Sequence, residues 1–196
     1  EYSLLDLGSH KGEFLEDLKS RLNGYSFETV AVDVNESDLK ENQADKKIVA
    51  DLTQIPIDDK SIDLTIARYA IAWNGIENQK RIIKEIGRVT KRMAVIQQQG
   101  SDPAHPCDLQ AAANELFNGK IPELKRDCFY FSSADEIEGW FRESGLAFER
   151  IQHRKVDNIS ELYIEKYKLE GDAAQEVRNI LTEADYLWQT AWVITF

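Results

Sequence analysis

The sequence predicts an α/β protein built on a doubly wound, mostly parallel sheet of seven strands, with an antiparallel last strand and helical insertions. Two observations support this prediction. Apolar, β-branched runs alternate with amphipathic helical stripes through the first 100 residues, a spacing typical of β-α-β units. A glycine-bounded turn follows the first apolar run, as it does in parallel sheets that bind ligands at their carboxyl edge. We expect one domain over 1–196, with 101–131 and 157–186 as insertions or lid segments.

The first half of the chain supplies five of the predicted strands. Short apolar runs place these strands at 2–7, 27–32, 47–50, 62–67 and 93–97. Helices are expected between them after Gly12, near 37–43 and through Ile82–Val89. Gly24 is the stop signal of the first helix. Strands and helices in this order favour parallel strand pairs, because each helix returns the chain to the same edge of the sheet.

The second half is less regular but continues the alternation. Helices are expected at 108–118, 133–145, 159–167 and 173–184, and strands at 148–156 and 187–196. Ser133 is a good N-cap for the second of these helices, and Gly145 is a good stop for it. The last run is dense in aromatic and β-branched residues, which favours a strand at the end of the chain.

Composition narrows the functional class. The chain carries 24 Lys and Arg against 35 Asp and Glu, a formal net charge of −11. A protein that contacts phosphate backbones needs a basic face, so we expect no nucleic-acid partner. No run approaches the ~20 apolar residues of a membrane span, so we expect no membrane partner. With no visible leader peptide and only 2 cysteines, a cytoplasmic location with reduced thiols is expected.

The stretch from Leu4 to Phe14 carries the strongest chemical signal, because a strand enters a glycine-bounded turn and leaves as a helix. Gly8 lets the backbone turn sharply and approach a ligand. Gly12 begins a helix whose first N–H groups favour an anionic group. Asp33 ends the second strand 33 − 12 = 21 residues later, where a carboxylate can accept ribose hydroxyls.

Two further segments fit the same pattern. An acid at Asp51 follows the third strand, where it can accept a hydrogen bond from an adenine amino group, and 55–69 reads IPIDDKSIDLTIARY. Together with the glycine turn, these segments resemble the class I S-adenosylmethionine-dependent methyltransferases, in particular the small-molecule, methyltransferase type 11-like branch. That family has an Asp-Leu-Gly-x-Gly-x-Gly loop and a Pro-(Ile/Phe)-x-Asp-x-Ser-(Ile/Phe)-Asp segment. Glu85, Arg88 and Val89 look like its Glu-x-x-Arg-Val helix.

The resemblance covers about residues 1–156, plus a last strand like the family's antiparallel seventh. It implies a Rossmann-like fold, S-adenosyl-L-methionine as cofactor, and methyl transfer by in-line displacement to a small-molecule acceptor. The cofactor contacts that it implies are Asp6, Gly8, Ser9, His10, Gly12, Asp33, Val34, Asp51, Leu52 and Arg68. The acceptor contacts that it implies are Tyr69, Trp73 and Asn74, to which the residues of the 103–107 loop add His105 as a candidate general base at the acceptor. We predict no metal ligand set, since the cysteines and histidines lack metal-site spacing; no catalytic base is assigned, and a homodimer stays open.

Three departures from the family's pattern leave alternatives open. His10 stands where the family has its middle glycine, and Thr90-Lys91-Arg92 replaces a Lys-Pro-Gly turn. The family's usual N-terminal helices are not seen before the first strand, so either that cover lies outside the given residues or another segment supplies it, for which the helices between 159 and 184 are candidates. The alternative function is a catalytically inactive methyltransferase-like domain that acts as a binding or assembly module. A nicotinamide-dependent oxidoreductase is a third possible function, although the glycines of this turn do not match the Gly-x-Gly-x-x-Gly spacing of that class.

Overall fold

The computed structural model describes residues 2–22, 24–101, 106–125, 128–182 and 186–196, without the side chains of 106–109 and 123. The strands are β1 (Tyr2–Leu7), β2 (Phe27–Asp33), β3 (Lys46–Val49), β4 (Ile62–Arg68), β5 (Thr90–Gly100), β6 (Ala147–Asp157) and β7 (Tyr186–Thr195). The α-helices are α1 (Glu13–Arg21), α2 (Glu36–Glu41), α3 (Ile76–Val89), α4 (Pro106–Leu116), α5 (Ala134–Glu143), α6 (Ile159–Tyr167) and α7 (Gly171–Ile180). Pro122–Leu124 forms a short 3₁₀ turn.

The seven strands form a single sheet in the order β3-β2-β1-β4-β5-β7-β6. Neighbouring strands from β3 to β5 pair in parallel, and β7 is antiparallel to both β5 and β6. This confirms the predicted fold class, including the antiparallel last strand. The strand order reverses between β1 and β4, and open parallel sheets bind ligands at the carboxyl edge of such a reversal. Asp6 lies on this boundary, opposite Ala31 of β2 and Ile66 of β4.

Helices cover the sheet on both faces, which makes it doubly wound. On one face, α3 and α5 bury Ile82, Ile86 and Phe141 against apolar residues of the central strands. On the other face, Leu15 of α1 and Leu39 of α2 are buried against β1, β2 and β4. The strands buried on both faces read as continuous apolar runs, which is why their positions were predictable.

A separate apolar cluster joins the predicted insertions to one another. Phe117 after α4, Ile159 and Tyr163 of α6, and Val177 of α7 are buried together with Ala72, which follows β4. The two insertions therefore pack as one layer beside the loop that leaves β4. Within the described residues, none of the helices is both long enough and apolar enough to cross a membrane.

Several element boundaries differ from the prediction by two residues or more, and the α3–β5 junction and the end of α7 are two of them. Helix α3 runs directly into β5, which begins at Thr90 rather than near residue 93. The buried Thr90 hydroxyl lies 2.6 Å from the carbonyl oxygen of Ile86 and 2.7 Å from the Thr65 hydroxyl, so it closes the helix without a separate turn. Helix α7 ends at Ile180, with Leu181 as its C-cap, four residues before the predicted end.

Candidate active site

A cavity of about 550 Å³ opens at the carboxyl edge of the sheet, beside the β1–β4 reversal. This volume lies within the roughly 300–1,000 Å³ of small-molecule sites. Its walls come from the glycine turn, from the segments that follow β2, β3 and β4, and from α6. The lining residues are Asp6, Gly8, Ser9, His10, Glu13, Phe14, Asp33, Val34, Asp51, Leu52, Arg68, Tyr69, Ala70, Trp73, Asn74 and Lys166.

The glycine turn is tied to the end of β2. The N–H groups of Gly8 and Ser9 both donate to the carbonyl of Val32, at 2.9 and 3.2 Å. Gly8 has a φ of 68°, and a Cβ there would lie 2.5 Å from the Cβ of Ala70. No L-residue fits that space without moving the backbone. Gly8 therefore allows the loop after β4 to approach the turn.

Gly12 shapes the turn without lining the cavity. It has a φ of 88°, and a Cβ there would lie 2.7 Å from the side chain of Asn42. The buried Asn42 amide donates to the carbonyl of His10 at 3.1 Å and accepts from the N–H of Ala44 at 2.9 Å. Asn42 thus holds the turn from behind, a role that no local sequence pattern indicated.

His10 occupies the middle-glycine position in a glycine-like conformation, with a φ of 48°. Its N–H donates to Asp33 Oδ2 at 2.9 Å. Its imidazole is 64% exposed and lies 3.3 Å from an oxygen of Asp38. The histidine therefore keeps the path of the turn and leaves room for the cavity beside it.

Two carboxylates lie at the β2–β3 end of the cavity. Asp33 accepts backbone N–H groups at both oxygens, from His10 and from Asn35, each at 2.9 Å. Each carboxylate oxygen can accept a second hydrogen bond, so Asp33 can still receive the hydroxyls of a ribose. Asp51 Oδ1 accepts hydrogen bonds from the N–H and the hydroxyl of Thr53, both at 2.7 Å.

Arg88 holds the segment that carries Asp51. Its guanidinium donates to the carbonyls of Ile55 and Ile57, each at 2.7 Å. Glu85 pairs with Arg88 at 2.7 Å and accepts from the N–H of Ile55 at 2.8 Å. The Glu-x-x-Arg pattern of the sequence therefore corresponds to a structural support behind the site.

The middle of the cavity contains a buried acid and a partly buried base. Asp6 is 3% exposed; burial raises its pKa to about 7, partly offset by Arg68, and Asp33 raises it slightly further. The Arg68 guanidinium lies 4.1 Å above the Phe14 ring and donates to Gln97 at 2.9 Å. Both charged groups still face the cavity.

The Ser9 hydroxyl is buried and has no hydrogen-bond partner among the described residues. Since a buried polar atom without a partner is costly, it marks a place where a polar ligand group would fit. Together with Asp6 and Arg68, it offers an acceptor, a cation and a hydroxyl in one region. These groups match the ammonium and carboxylate of an aminoacyl chain, as S-adenosylmethionine carries.

The far end of the cavity follows β4. Tyr69 lines it with a φ of 55°, and Trp73 packs edge-on against Phe117 at 5.4 Å. The Asn74 amide donates to the carbonyls of Ala70 and Ile71, at 3.2 and 3.3 Å, so it is used within its own loop. The fourth predicted acceptor contact, His105, lies outside the described residues.

Apart from Gly12 and His105, all of the predicted site residues lie on the cavity wall. Prediction missed Glu13, Phe14, Ala70 and Lys166. Glu13 and Ala70 directly follow predicted residues and Phe14 follows Glu13, so adjacency was an available signal. Lys166 reaches the cavity only because α6 packs against the loop after β4, and no local pattern reports that contact. Among the described residues, no group of three His, Cys, Asp or Glu is placed to hold a metal ion.

Comparisons with known proteins agree with this geometry. Residues 5–96 match a family model described as a methyltransferase domain, whereas no curated protein matches the chain. The YcgJ protein of Bacillus subtilis has a similar structure, with a TM-score of 0.74 at 15% identity over 100% of this chain and 92% of that one.

Two further solved structures share the fold. Geranyl diphosphate C-methyltransferase from Streptomyces coelicolor A3(2), in complex with Mg²⁺, geranyl diphosphate and S-adenosyl-L-homocysteine, has a TM-score of 0.69 at 12% identity, over 100% of this chain and 72% of that one. The methyltransferase in complex with the Haloferax volcanii Trm112 methyltransferase activator has a TM-score of 0.60 at 14% identity, over 99% of this chain and 82% of that one.

The sheet order, the glycine turn and the strand-end acids define a class I S-adenosylmethionine-dependent methyltransferase fold. Residues 5–96 match the methyltransferase-domain family model, and this match together with the fold supports an S-adenosyl-L-methionine-dependent methyltransferase.

Proposed function

We propose that the protein transfers a methyl group from S-adenosylmethionine to a small-molecule acceptor inside the cavity at the β1–β4 reversal. The observation that carries this proposal is the division of the cavity. Acids suited to a nucleoside lie at the β2–β3 end, and aromatic residues lie at the β4 end, with Asp6 and Arg68 between them. When bound, S-adenosylmethionine supplies an activated methyl group together with its own leaving group.

We assign the nucleoside to the β2–β3 end. Asp33 accepts the ribose hydroxyls, Asp51 accepts the adenine amino group, and Val34 and Leu52 contact the adenine ring. Support comes from the two acids at the ends of adjacent strands. Val34 is 75% exposed, so a flat apolar ring would cover it.

We assign the aminoacyl chain to the middle of the cavity. Asp6 receives the ammonium group, Arg68 receives the carboxylate, and the Ser9 hydroxyl completes the polar contacts. His10 and Gly8 contribute backbone to this wall, and Gly12 sets the turn. The support is the unpartnered Ser9 hydroxyl beside two oppositely charged side chains.

The acceptor then occupies the β4 end, against Tyr69 and Trp73, with Asn74 holding the loop. The chain's role there is to align and desolvate the reactants, since the methyl donor brings its own leaving group. A cavity of this size and a net charge of −11 favour a small molecule over a nucleic acid. The apolar layer of α4, α6 and α7 beside this end serves as a lid.

Thermal unfolding with three ligands tests the proposal. S-adenosylmethionine or S-adenosylhomocysteine at ~100 times Kd adds about 2.7 kcal/mol, which raises Tm by about 5–11 °C for a chain of this size. NAD gives no shift. Asp33→Ala abolishes the shift, whereas Asp17→Ala, which removes an exposed carboxylate on α1, keeps it.

This measurement, followed by a methyl-transfer assay, separates the alternatives. If neither sulfur ligand shifts Tm, the proposed function is wrong for this chain. If both ligands bind but radiolabelled methyl is transferred to no amine, acid, thiol or phenol of a small-molecule panel, a binding or assembly module becomes the better explanation. The one-domain organisation, the cytoplasmic location and a homodimer stay predictions; sedimentation equilibrium decides the last of these.

A further inference from the structure

Tyr69 is fixed in an unusual backbone conformation at the acceptor end of the cavity. Its φ of 55° is in the left-handed region, which non-glycine residues adopt at a cost. Its N–H donates to the carbonyl of Gln97 at 2.8 Å, which anchors it to β5. Strained residues of this kind concentrate at functional sites. The conformation places the phenol on the cavity wall.

The Gln189 amide of β7 donates a hydrogen bond to the Tyr69 oxygen. The orientation of this amide is determined by its other contact. The Nε–H of Arg154 points at Gln189 Oε1 at 2.8 Å, and an arginine can only donate. Gln152 points at the same oxygen at 3.2 Å. Gln189 Oε1 is therefore the acceptor end, and its NH₂ group must face Tyr69.

This arrangement determines where the Tyr69 proton points. A phenol oxygen carries one hydrogen and accepts through its remaining lone pairs. Because Gln189 occupies the accepting position, the Tyr69 O–H is directed away from Gln189. Among the described residues, no group accepts it. Tyr69 lines the cavity, so its O–H is available to donate to a group bound there.

The charges lining the cavity also favour an anionic group at the acceptor end. The acids Asp6, Asp33 and Asp51 line the end that we assign to the cofactor. The cations Arg68 and Lys166 also line the cavity, and the Arg68 guanidinium lies 5.5 Å from the centre of the Tyr69 ring. Arg68 is assigned to the cofactor, which leaves the exposed Lys166 of α6 as the cation of the cavity lining available to the acceptor. Glu13, in the first turn of α1, is the exception to this division.

We propose that the acceptor presents an anionic oxygen, such as a carboxylate, near the atom that is methylated, and that the Tyr69 hydroxyl donates to it. Gln189 is the positioning residue that directs this hydroxyl, and Lys166 supplies the nearby positive charge. The inference rests on the proposed function, because it assigns the β4 end of the cavity to the acceptor.

Acetate and methylammonium are matched probes for this site, since they are similar in size and opposite in hydrogen-bonding character. Their affinities are measured by NMR titration of the full chain saturated with S-adenosylhomocysteine. We expect the wild-type protein to bind acetate at least about tenfold more tightly than methylammonium. Tyr69→Phe, which removes only the hydroxyl, lowers acetate affinity by about tenfold.

Gln189→Glu tests the positioning role because it reverses the hydrogen bond. The new carboxylate keeps its pairing with Arg154 and accepts the Tyr69 O–H, which turns the proton away from the cavity. Acetate affinity then falls at least as far as in Tyr69→Phe, whereas Gln189→Met, which leaves the hydroxyl free to rotate, gives a smaller loss. Gln175→Glu adds the same charge on exposed α7 and leaves acetate affinity unchanged.

The double variant Tyr69→Phe with Gln189→Glu separates orientation from repulsion. It matches Tyr69→Phe alone if Gln189 acts through the hydroxyl, and it is weaker than Tyr69→Phe if the new charge merely repels acetate. The inference is overturned by that second result, by wild-type acetate affinity in Tyr69→Phe, or by a preference for methylammonium. Failure to bind S-adenosylhomocysteine would instead count against the proposed function, so the two failures are distinguishable.

Discussion

Gly8 and Gly145 share a φ of 68°, but only Gly8 faces a close neighbour. An alanine at either position carries the left-handed strain, about 1–2 kcal/mol. At position 8 the new Cβ also meets the Cβ of Ala70 at 2.5 Å, whereas at position 145 it meets nothing within 4 Å. We therefore expect Gly8→Ala to lower the free energy of unfolding by about 2–5 kcal/mol, and Gly145→Ala by about 1–2 kcal/mol.

Urea unfolding of the two variants measures this difference. Gly8→Ala should also weaken S-adenosylhomocysteine binding, because Ala70 and the turn must move apart to accept the new methyl group. Equal stability losses at the two positions would show that the close approach of the β4 loop to the turn is not a constraint.

Asp6 makes stability depend on pH in a direction opposite to that of most carboxylates. Burial raises its pKa from 3.8 to about 7. Between pH 4 and 7 the folded protein therefore holds a proton that the unfolded chain has released, so the free energy of unfolding falls as pH rises through this window. The three pKa units correspond to a change of up to about 4 kcal/mol.

Asp6→Asn removes this titration in the protein without ligand. The difference in unfolding free energy between Asp6→Asn and wild type should shift in favour of the variant as pH rises from 4 to 8. Asp17→Asn, at an exposed position on α1, should show no such trend. A constant difference across the range would mean that Asp6 is ionised in the folded state at low pH.

At the scale of elements, the end of α3 supports the segment after β3. Arg88 joins Glu85 to the carbonyls of Ile55 and Ile57 through a planar fork of donors. Lysine retains the charge but cannot make these contacts together. Arg88→Lys should lower the free energy of unfolding by about 1–3 kcal/mol and weaken S-adenosylhomocysteine binding, because the segment positions Asp51.

Arg21→Lys is the matched control, since among the described residues Arg21 pairs only with Asp17, on the exposed surface of α1. Its stability should change by less than about 0.5 kcal/mol. Chemical denaturation and calorimetric titration of both variants check the two effects. If Arg88→Lys loses stability but binds the ligand like wild type, the support is structural only.

Sequence patterns predicted most elements because their signals are local. Apolar runs located the strands, and Ser133 is the N-cap of α5 as predicted, where the structure adds a capping box with Glu136. The α3–β5 boundary was missed because Thr90 ends the helix through buried contacts with Ile86 and Thr65, which lie in different elements. Such a contact depends on packing and leaves no periodic signal.

At the scale of the whole molecule, some site residues were predictable from local sequence and others were not, as was true of the elements. The residues on the turn and at strand ends were predictable, because parallel strands bring their carboxyl ends to one edge. Asn42, Lys166 and Gln189 were not, since each reaches the site from an element distant in sequence. Their positions depend on how α2, α6 and β7 pack, which single-sequence periodicity does not report.

A crystal structure with S-adenosylhomocysteine tests the central claim most directly, because it locates the cofactor without requiring a known acceptor. We expect the ribose on Asp33, the adenine between Val34 and Leu52, and the aminoacyl chain beside Asp6 and Arg68. The open space should remain at Tyr69. Density for the ligand elsewhere, or a ligand that buries Tyr69 beneath its adenine, would contradict the proposed arrangement of the cavity.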